Sequence, residues 1–483
     1  MGILKEDIDP RIVELIFGKN VNKDLKNNLS YSVKIDQAHI IMLNEQGILR
    51  KKVAAKLLKE INGLIESDFD SLKGRQANRG WYLLYEQEII KRLGDKIGGN
   101  LHVGRSRNDL HATIFRLKIR DPFVKTVENV LFLRSNLLKL SKRYKNLIFP
   151  MHTQMQPAIP STFGHYFLAI DQTLNDDLDF LLDSFKDVEK CPLGAGSIAG
   201  TSFPINPNRT AELLGFKESI KNSIQSVASY NYILKILSAL MILNVTISRF
   251  SSDLHIWMTK EFNYASLPDH LKGSSSMMPQ KDNPFLIEHI KGKSSANIGF
   301  LVSASSAMQK VAFSNAIEVK KEGAPFIWFS FEKTNEILEL LNILVEDLHT
   351  KDNIYKKDTI YQFILSTSLA EYLTQNTNLS FRESHKLVGE IVYDALKNKK
   401  SMIESAKEKL KKVTNIDSIE KLFNISNVVK RMEYGGGPGP KSFEKIYNNS
   451  ISSLKKQKQF VKEKKDGWSF ADKNLRDNIN KII

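Results

Sequence analysis

Apolar positions recur every three or four residues along most of this chain, the signature of helices that bury one face. Between Ala38 and Ile65 they fall at Ile40, Ile41, Leu43, Ile48, Val53, Ala54, Leu57, Leu58, Ile61 and Ile65, interrupted by a turn at Glu45-Gln46-Gly47. A polar connection over 68–79 precedes a helical pattern over 81–93, and Gly98-Gly99-Asn100 then breaks the chain. From residue 108 the segments lengthen. The pattern predicts five long helices, over 108–145 (with Pro122 as a site for a kink), 162–190, 231–262, 284–311 and 325–350.

Helices of this length suit a bundle. The third carries Ile233, Leu234, Ile236, Leu237, Leu240, Met241, Leu243 and Val245, apolar on nearly all sides, so it must be surrounded by others. One chain supplies few such neighbours, which points to oligomerisation through the bundle. Strand signals are weak and short. The expected fold is all-α, in three parts: an N-terminal helical domain over 1–107, the long-helix bundle over 108–365, and a C-terminal helical domain over 366–483. The last part holds shorter helices, a Gly435-Gly436-Gly437-Pro438-Gly439-Pro440 break and a final basic helix.

Composition narrows the class. At 483 residues, 42% hydrophobic and 26% charged, the chain is of ordinary globular type. Met1 to Asp7 contains no apolar run of signal-peptide type. The apolar window from Ile233 to Ile247 is interrupted by Lys235, Ser238, Asn244 and Thr246, too short and too polar to span a bilayer, so no membrane is expected. Cys191 is the single cysteine, which excludes an internal disulfide and a cysteine metal cluster. These features fit a cytoplasmic enzyme. The net charge of +16 comes from scattered lysines, densest over 455–465, without zinc-finger spacing, RNP aromatics or a P-loop. It reads as a lysine-rich solvated surface rather than a nucleic-acid footprint, and it is compatible with a small anionic substrate.

Four stretches carry candidate chemistry. Gly104-Arg105-Ser106-Arg107-Asn108-Asp109, at a helix N-terminus, offers two guanidiniums, an amide and free backbone donors to a carboxylate, although Asn and Asp also cap helices routinely. Met151-His152-Thr153-Gln154-Met155-Gln156 places a histidine, a hydroxyl and two amides before a long helix. Cys191 to Ser202 is glycine-rich, for close approach to a ligand or to neighbouring helices. Gly273-Ser274-Ser275-Ser276-Met277-Met278-Pro279-Gln280-Lys281-Asp282-Asn283-Pro284 is a polar loop of the kind that closes over a ligand.

The last of these resembles the signature of the fumarase/aspartase superfamily, G-S-S-x-M-P-x-K-x-N-P. Leu101 to Asp109, Cys191 to Phe216, Leu267-Pro268-Asp269, Phe381 to His385 and the break at 435–440 resemble argininosuccinate lyase, in order along nearly the whole chain. The resemblance implies a homotetrameric, all-helical lyase without metal or organic cofactor. Its sites would be assembled from loops of three subunits, and fumarate would be released from a dicarboxylate substrate. A loop serine, ionised, would remove the proton beside a carboxylate. Counting back from Met278-Pro279-Gln280-Lys281 places this base at Ser275; counting forward from Gly273 gives Ser274, and Ser275 is favoured. Lys281 and Asn283 would hold substrate carboxylate or the carbanion-like intermediate, with Glu288 as support. Arg107, Asn108, Thr153, Ser274 and Ser276 fall at substrate-binding positions.

Departures from the family pattern bear on the substrate. Argininosuccinate lyase reads T-H-x-Q in the second stretch, and its histidine helps protonate the leaving nitrogen. Here Thr153-Gln154-Met155-Gln156 puts Gln154 at the acid position, and a carboxamide does not transfer protons at neutral pH. Aspartase also reads T-Q-x-Q, and it expels ammonia, which can leave already protonated. The expected reaction is therefore reversible β-elimination of fumarate from an N-succinyl amine. Authentic argininosuccinate lyase with His152 as a displaced acid, and a catalytically silent scaffold homologue, stand as alternatives. Gly80-Trp81-Tyr82, Ala228 to Asn231 and Phe313 to Lys321 also depart from the pattern, on parts that in the family contact the arginine half or orient the site.

Overall fold

A computed structural model describes residues 8–352, 354 and 359–483. The N-terminal helices α1 (Ser30–Glu45), α2 (Lys51–Glu66) and α3 (Trp81–Leu93) pack on a core built from Ile35, Ile41, Leu57, Ile61, Tyr85 and Ile89, all fully buried. The turn between α1 and α2 falls at Gln46-Gly47, and Gly94, at φ 74°, ends α3 where the pattern stops.

Helix α4 (Arg107–Arg143) begins with a capping box, Ser106 accepting from the Asn108 N–H and Asp109 from the Ser106 N–H. It continues for 37 residues, unbroken through Pro122, a rise of about 55 Å. Next comes an antiparallel hairpin, β1 (Ile148–Thr153) with β2 (Gln156–Thr162). The second chemical stretch is thus a strand pair rather than a loop. Pro150, Pro157 and Pro160 obscure its alternation, and they are tolerated because a two-stranded ribbon consists of edges.

Helix α5 (Phe163–Ser184) stops six residues short of the expected end, passing into a 3-10 turn at Phe185–Asp187. Helix α6 (Asn231–Trp257) is the centre of the bundle. At 27 residues it is long and apolar enough to cross a membrane, more than its sequence window suggests, yet Ile233, Ile236, Leu237, Leu240 and Leu243 are fully buried among neighbouring helices. The serine-rich stretch is pinched into a short hairpin, β3 (Gly273–Ser274) with β4 (Asp282–Asn283). The helix expected over 284–311 divides at Ser295 into α7 (Phe285–Ser294) and α8 (Ala296–Met308), and α9 (Phe326–Glu346) completes the set.

Packing cuts across the boundary expected at residue 366. Helices α10 (Ser366–Asn376), α11 (Phe381–Lys397) and α12 (Met402–Leu410) share a small core of Leu369, Leu373, Val388, Ile391, Met402 and Leu410. Helix α13 (Pro440–Ile482), 43 residues long, returns to the rest of the molecule. Its Phe443, Leu454 and Val461 enter the bundle core, and its Leu475, Ile479 and Ile482 enter the N-terminal core. A buried Arg134–Asp171 pair, 2.9 Å apart, with Gln457 accepting from the same guanidinium, ties α4, α5 and α13 together.

Ring contacts fix the sense of the bundle. Phe115, near the start of α4, meets Tyr230 and Trp328 at the starts of α6 and α9. Phe149, beyond the far end of α4, meets Trp257, the last residue of α6, and Tyr264 just after it. Helices α4, α6 and α9 therefore run parallel.

Candidate active site

The start of α4 gathers the first site residues. Of the two guanidiniums expected there, one is available. Arg105 turns inward, fully buried, and pairs with Asp36 of α1, which also accepts from the Tyr82 hydroxyl at 3.1 Å. Arg107 stays exposed, one N–H donating to the Arg79 carbonyl at 2.8 Å and the rest of its fork without a hydrogen-bond partner among the described residues. Asn108 donates to the Ser197 carbonyl at 2.9 Å and accepts from the Asn315 amide at 2.6 Å. The glycines of the third stretch serve this packing: the Gly194 and Gly196 N–H groups donate to Asp109 at 3.1 and 3.0 Å. Gly196 sits at φ 60°, and a Cβ there would lie 2.6 Å from the Gly200 carbonyl oxygen. Burial raises the Asp109 carboxyl to about 6 despite these donors and Arg105.

The run from Phe313 to Lys321, which departs from the family pattern, ends in two lysines to which the sequence assigned no role. Beyond Asn315 the chain forms a π-helical turn, Glu318–Gly323, a geometry frequent at functional sites. It carries Lys320, half-buried, and Lys321, exposed. Burial, then Lys321, then Arg107 lower the Lys320 ammonium to about 8. The same three cations act on His111, whose burial comes first among the causes that lower it to about 3, so it is neutral at physiological pH. The departure marks the run but not these lysines' proximity to Arg107, which folding brings about from more than two hundred residues away.

At the other end of the bundle, Thr153 and Gln154 are exposed at the tip of the β1–β2 hairpin. Gln154 and Met155 form its two-residue turn, with φ of 52° and 62°. His152 is not at the tip. Its ring packs against Phe262 and Tyr264, with centroids 5.7 and 6.0 Å away, and burial lowers its pKa.

The serine hairpin lies at this same end, where α6 and α9 finish. Asp282 clamps its base, accepting from Lys260 at 2.9 Å and Lys272 at 3.3 Å. Within the turn, the Ser275 hydroxyl oxygen accepts the Met278 N–H at 3.1 Å. Ser274 sits in the strand pair with its side chain exposed, and Ser276 is exposed in the turn. Lys281 is exposed, Asn283 is half-buried with its backbone paired to Gly273, and Glu288 is exposed in the first turn of α7.

Arg107 and Asn108 thus stand at one end of the bundle, while Gln154, Ser275 and Lys281 stand at the other. Among the described residues, no hydrogen bond, ion pair or ring contact joins the two sets. The intervening helix spans about 55 Å. No grouping of His, Cys, Asp and Glu suited to a metal ion occurs among the described residues. The chemistry on offer is carboxylate capture by Arg107, Asn108 and Lys281, with one serine hydroxyl held by a backbone donor.

A long-helix bundle with this serine hairpin defines a lyase of the fumarase/aspartase type. A family model described as Lyase matches residues 26–299, and one described as Argininosuccinate lyase C-terminal matches residues 363–433. Argininosuccinate lyase 1 of Shouchella clausii is 32% identical, over 98% of this chain and 97% of that protein. Argininosuccinate lyase of Methanococcus aeolicus is 31% identical, over 95% and 96%. The solved structure of EDDS lyase in complex with formate superposes with a TM-score of 0.84 at 26% identity, covering 99% of this chain and 96% of that one. Class II fumarase from Schistosoma mansoni shares the fold, with a TM-score of 0.67 at 17% identity over 86% of this chain and 93% of that one. The chain belongs to the argininosuccinate lyase family. Membership makes it an enzyme, a carbon–nitrogen lyase of the kind that eliminates fumarate.

Proposed function

We propose that this enzyme releases fumarate from an N-succinyl amine other than argininosuccinate. The observation that carries the reading is Gln154 at the apex of the hairpin, exposed and without a histidine beside it. In the proposed reaction Ser275, as alkoxide, takes the proton from the carbon next to a substrate carboxylate. The electron pair left behind becomes the new double bond as the C–N bond breaks, and the amine departs with the nitrogen's electrons. The Met278 N–H supports Ser275 as base, because a donor on the hydroxyl oxygen favours its anion. Lys281 and Asn283 stabilise the carbanion-like intermediate, supported by Glu288. Gln154, Thr153, Ser274 and Ser276 position substrate by hydrogen bonds. Gln154 cannot protonate the leaving nitrogen, His152 is packed against two rings, and His111 is neutral, so the nitrogen must already be an ammonium before the C–N bond breaks and leave as the neutral amine, keeping the electron pair of that bond.

The separation of the two residue sets supports a homotetramer with shared sites, one chain supplying Arg107 and Asn108 and others supplying Gln154 and Ser275. Uncovered apolar side chains on the bundle support the same reading. Ile242 and Val245 on α6, Ile298 and Val302 on α8, and Phe329 and Ile343 on α9 are exposed. A cytoplasmic location agrees with such an enzyme.

Fumarate release, followed by ultraviolet absorbance over a panel of N-succinyl amines with argininosuccinate and aspartate as comparisons, tests the substrate. Turnover of argininosuccinate at ordinary enzymic rates sinks the reading. Mixing inactive Ser275→Ala with inactive Arg107→Ala protein after partial denaturation tests the shared site, and recovered activity is the expected outcome. No recovery, with tetramers re-formed, overturns it.

A further inference from the structure

We propose that a cleft at the root of the β1–β2 hairpin binds a small organic carboxylate with an apolar body, at a site separate from the one that releases fumarate. The cleft, about 260 Å3 in volume, lies where the end of α4, the hairpin, the short helix Ile425–Arg431 and the start of α13 meet. Ile148 and Thr162 line it, and they are the paired first and last residues of the hairpin. Gln154, at the tip, is a strand length of about 20 Å away, so the two sites do not overlap.

The floor of the cleft is apolar, with Ile148, Val429 and Phe443 all buried. Its rim carries two ammoniums and one carboxylate. Lys145 and Glu444 neutralise each other at 3.1 Å. Lys430 is left over, since among the described residues no carboxylate lies within ion-pairing distance of it. The charges beside it in sequence are engaged elsewhere. Glu433 accepts from the Lys441 and Ser442 N–H groups at 3.2 and 2.8 Å, and Arg431 lies over the Tyr372 ring. Neutral donors complete the rim. The buried Thr162 hydroxyl accepts from the His165 N–H at 3.1 Å, which leaves its own proton to donate. The Asn146 and Ser426 side chains make no hydrogen bond among the described residues.

One unpaired cation among neutral donors matches one carboxylate. The buried floor matches a hydrocarbon body, which an inorganic anion lacks. A dicarboxylate would set its second charge against that floor or against Glu444, and an amine would meet Lys430. The volume takes about nine heavy atoms at roughly 30 Å3 apiece, two of them the carboxylate oxygens. Such a ligand touches the bundle, the hairpin and the C-terminal helices at once. Its binding therefore ties the helix Ile425–Arg431 to the strands that carry Gln154.

The probe is 4-methylpentanoate, added to the full chain with fumarate already present to occupy the catalytic carboxylate sites. Calorimetry on the native protein is expected to give a Kd of about 0.1–1 mM. Lys430→Glu, and Ser426→Trp, which fills the cleft, should each weaken binding by about tenfold or more, whereas Lys430→Arg should keep it. Amide hydrogen exchange should slow at 148–162 and 425–431 when the probe is added, in the native protein and not in Lys430→Glu. Inorganic phosphate and 4-methylpentylamine serve as comparisons, and either one binding as tightly as the carboxylate overturns the ligand class. No binding, binding that survives both Lys430→Glu and Ser426→Trp, or protection confined to the serine hairpin overturns the site. Neither readout uses turnover, so the outcome is independent of the fumarate-releasing reading.

Discussion

Ser275 differs from its two neighbours in accepting a backbone N–H, and that single contact separates a candidate base from two plain hydroxyls. Ser275→Ala is expected to lower kcat for fumarate formation by about two to four orders of magnitude. Ser276→Ala, measured beside it, is expected to act through KM. Asp109 makes a different prediction, on stability. Its carboxyl is raised to about 6 from an ordinary 3.8, so between those values the folded chain holds a proton that the unfolded chain has lost. Its contribution is full below about pH 4 and is lost as pH rises through 6, by about 3 kcal/mol at most. Urea unfolding from pH 4 to pH 7 should show this fall in the native protein and a flatter course in Asp109→Asn. At this scale the sequence was only partly legible. Ser275, Arg107 and Gln154 stand out as candidates because each lies in a local motif. The inward turn of Arg105 does not, since its partner Asp36 comes from another helix, and neither does Lys320, whose chemistry is conferred by what folds over it.

Elements were easier to read than the contacts they make. The apolar period located α1, α2, α3 and α6 because each buries a continuous stripe. It overran at Ser184, where the chain passes into a 3-10 turn, and at Trp257, where the helix ends before the apolar residues cease. The β1–β2 hairpin escaped notice for lack of Gly or Asn at its turn, where Gln154 and Met155 accept the left-handed region instead. A non-glycine residue held there costs about 1–2 kcal/mol. Met155→Gly should therefore raise the melting temperature, and a fall would show that the Met155 side chain is packed in the assembled protein. Asp171→Ala, which strands Arg134 without its counter-charge, should destabilise the junction of α4, α5 and α13 by about 3–5 kcal/mol, whereas Arg134→Met with Asp171→Leu should recover most of the loss. Chemical denaturation of the three proteins checks it.

At the scale of the whole molecule, the long-helix bundle carries unlike chemistry at its two ends. All-α architecture and the long bundle followed from periodicity, but the placement of Arg107 and Ser275 on opposite tips did not, because sequence order records connection and not direction in space. On the proposed assembly, Val302→Glu on the uncovered face of α8 should yield smaller particles by sedimentation and abolish turnover, though Val302 lies in neither set of site residues. Retained activity in a dissociated chain would refute shared sites.

The length of α4 carries a consequence for inheritance. On the proposed shared-site assembly, a chain damaged at one tip would still lend a sound tip to a different site, so two defective versions of the gene, each harmed at an opposite end, would together build some whole sites. Damage confined to one tip in both copies would build none. The severity of a paired genotype should therefore depend less on how badly each variant is harmed than on whether the two lesions share an end of a helix about 55 Å long.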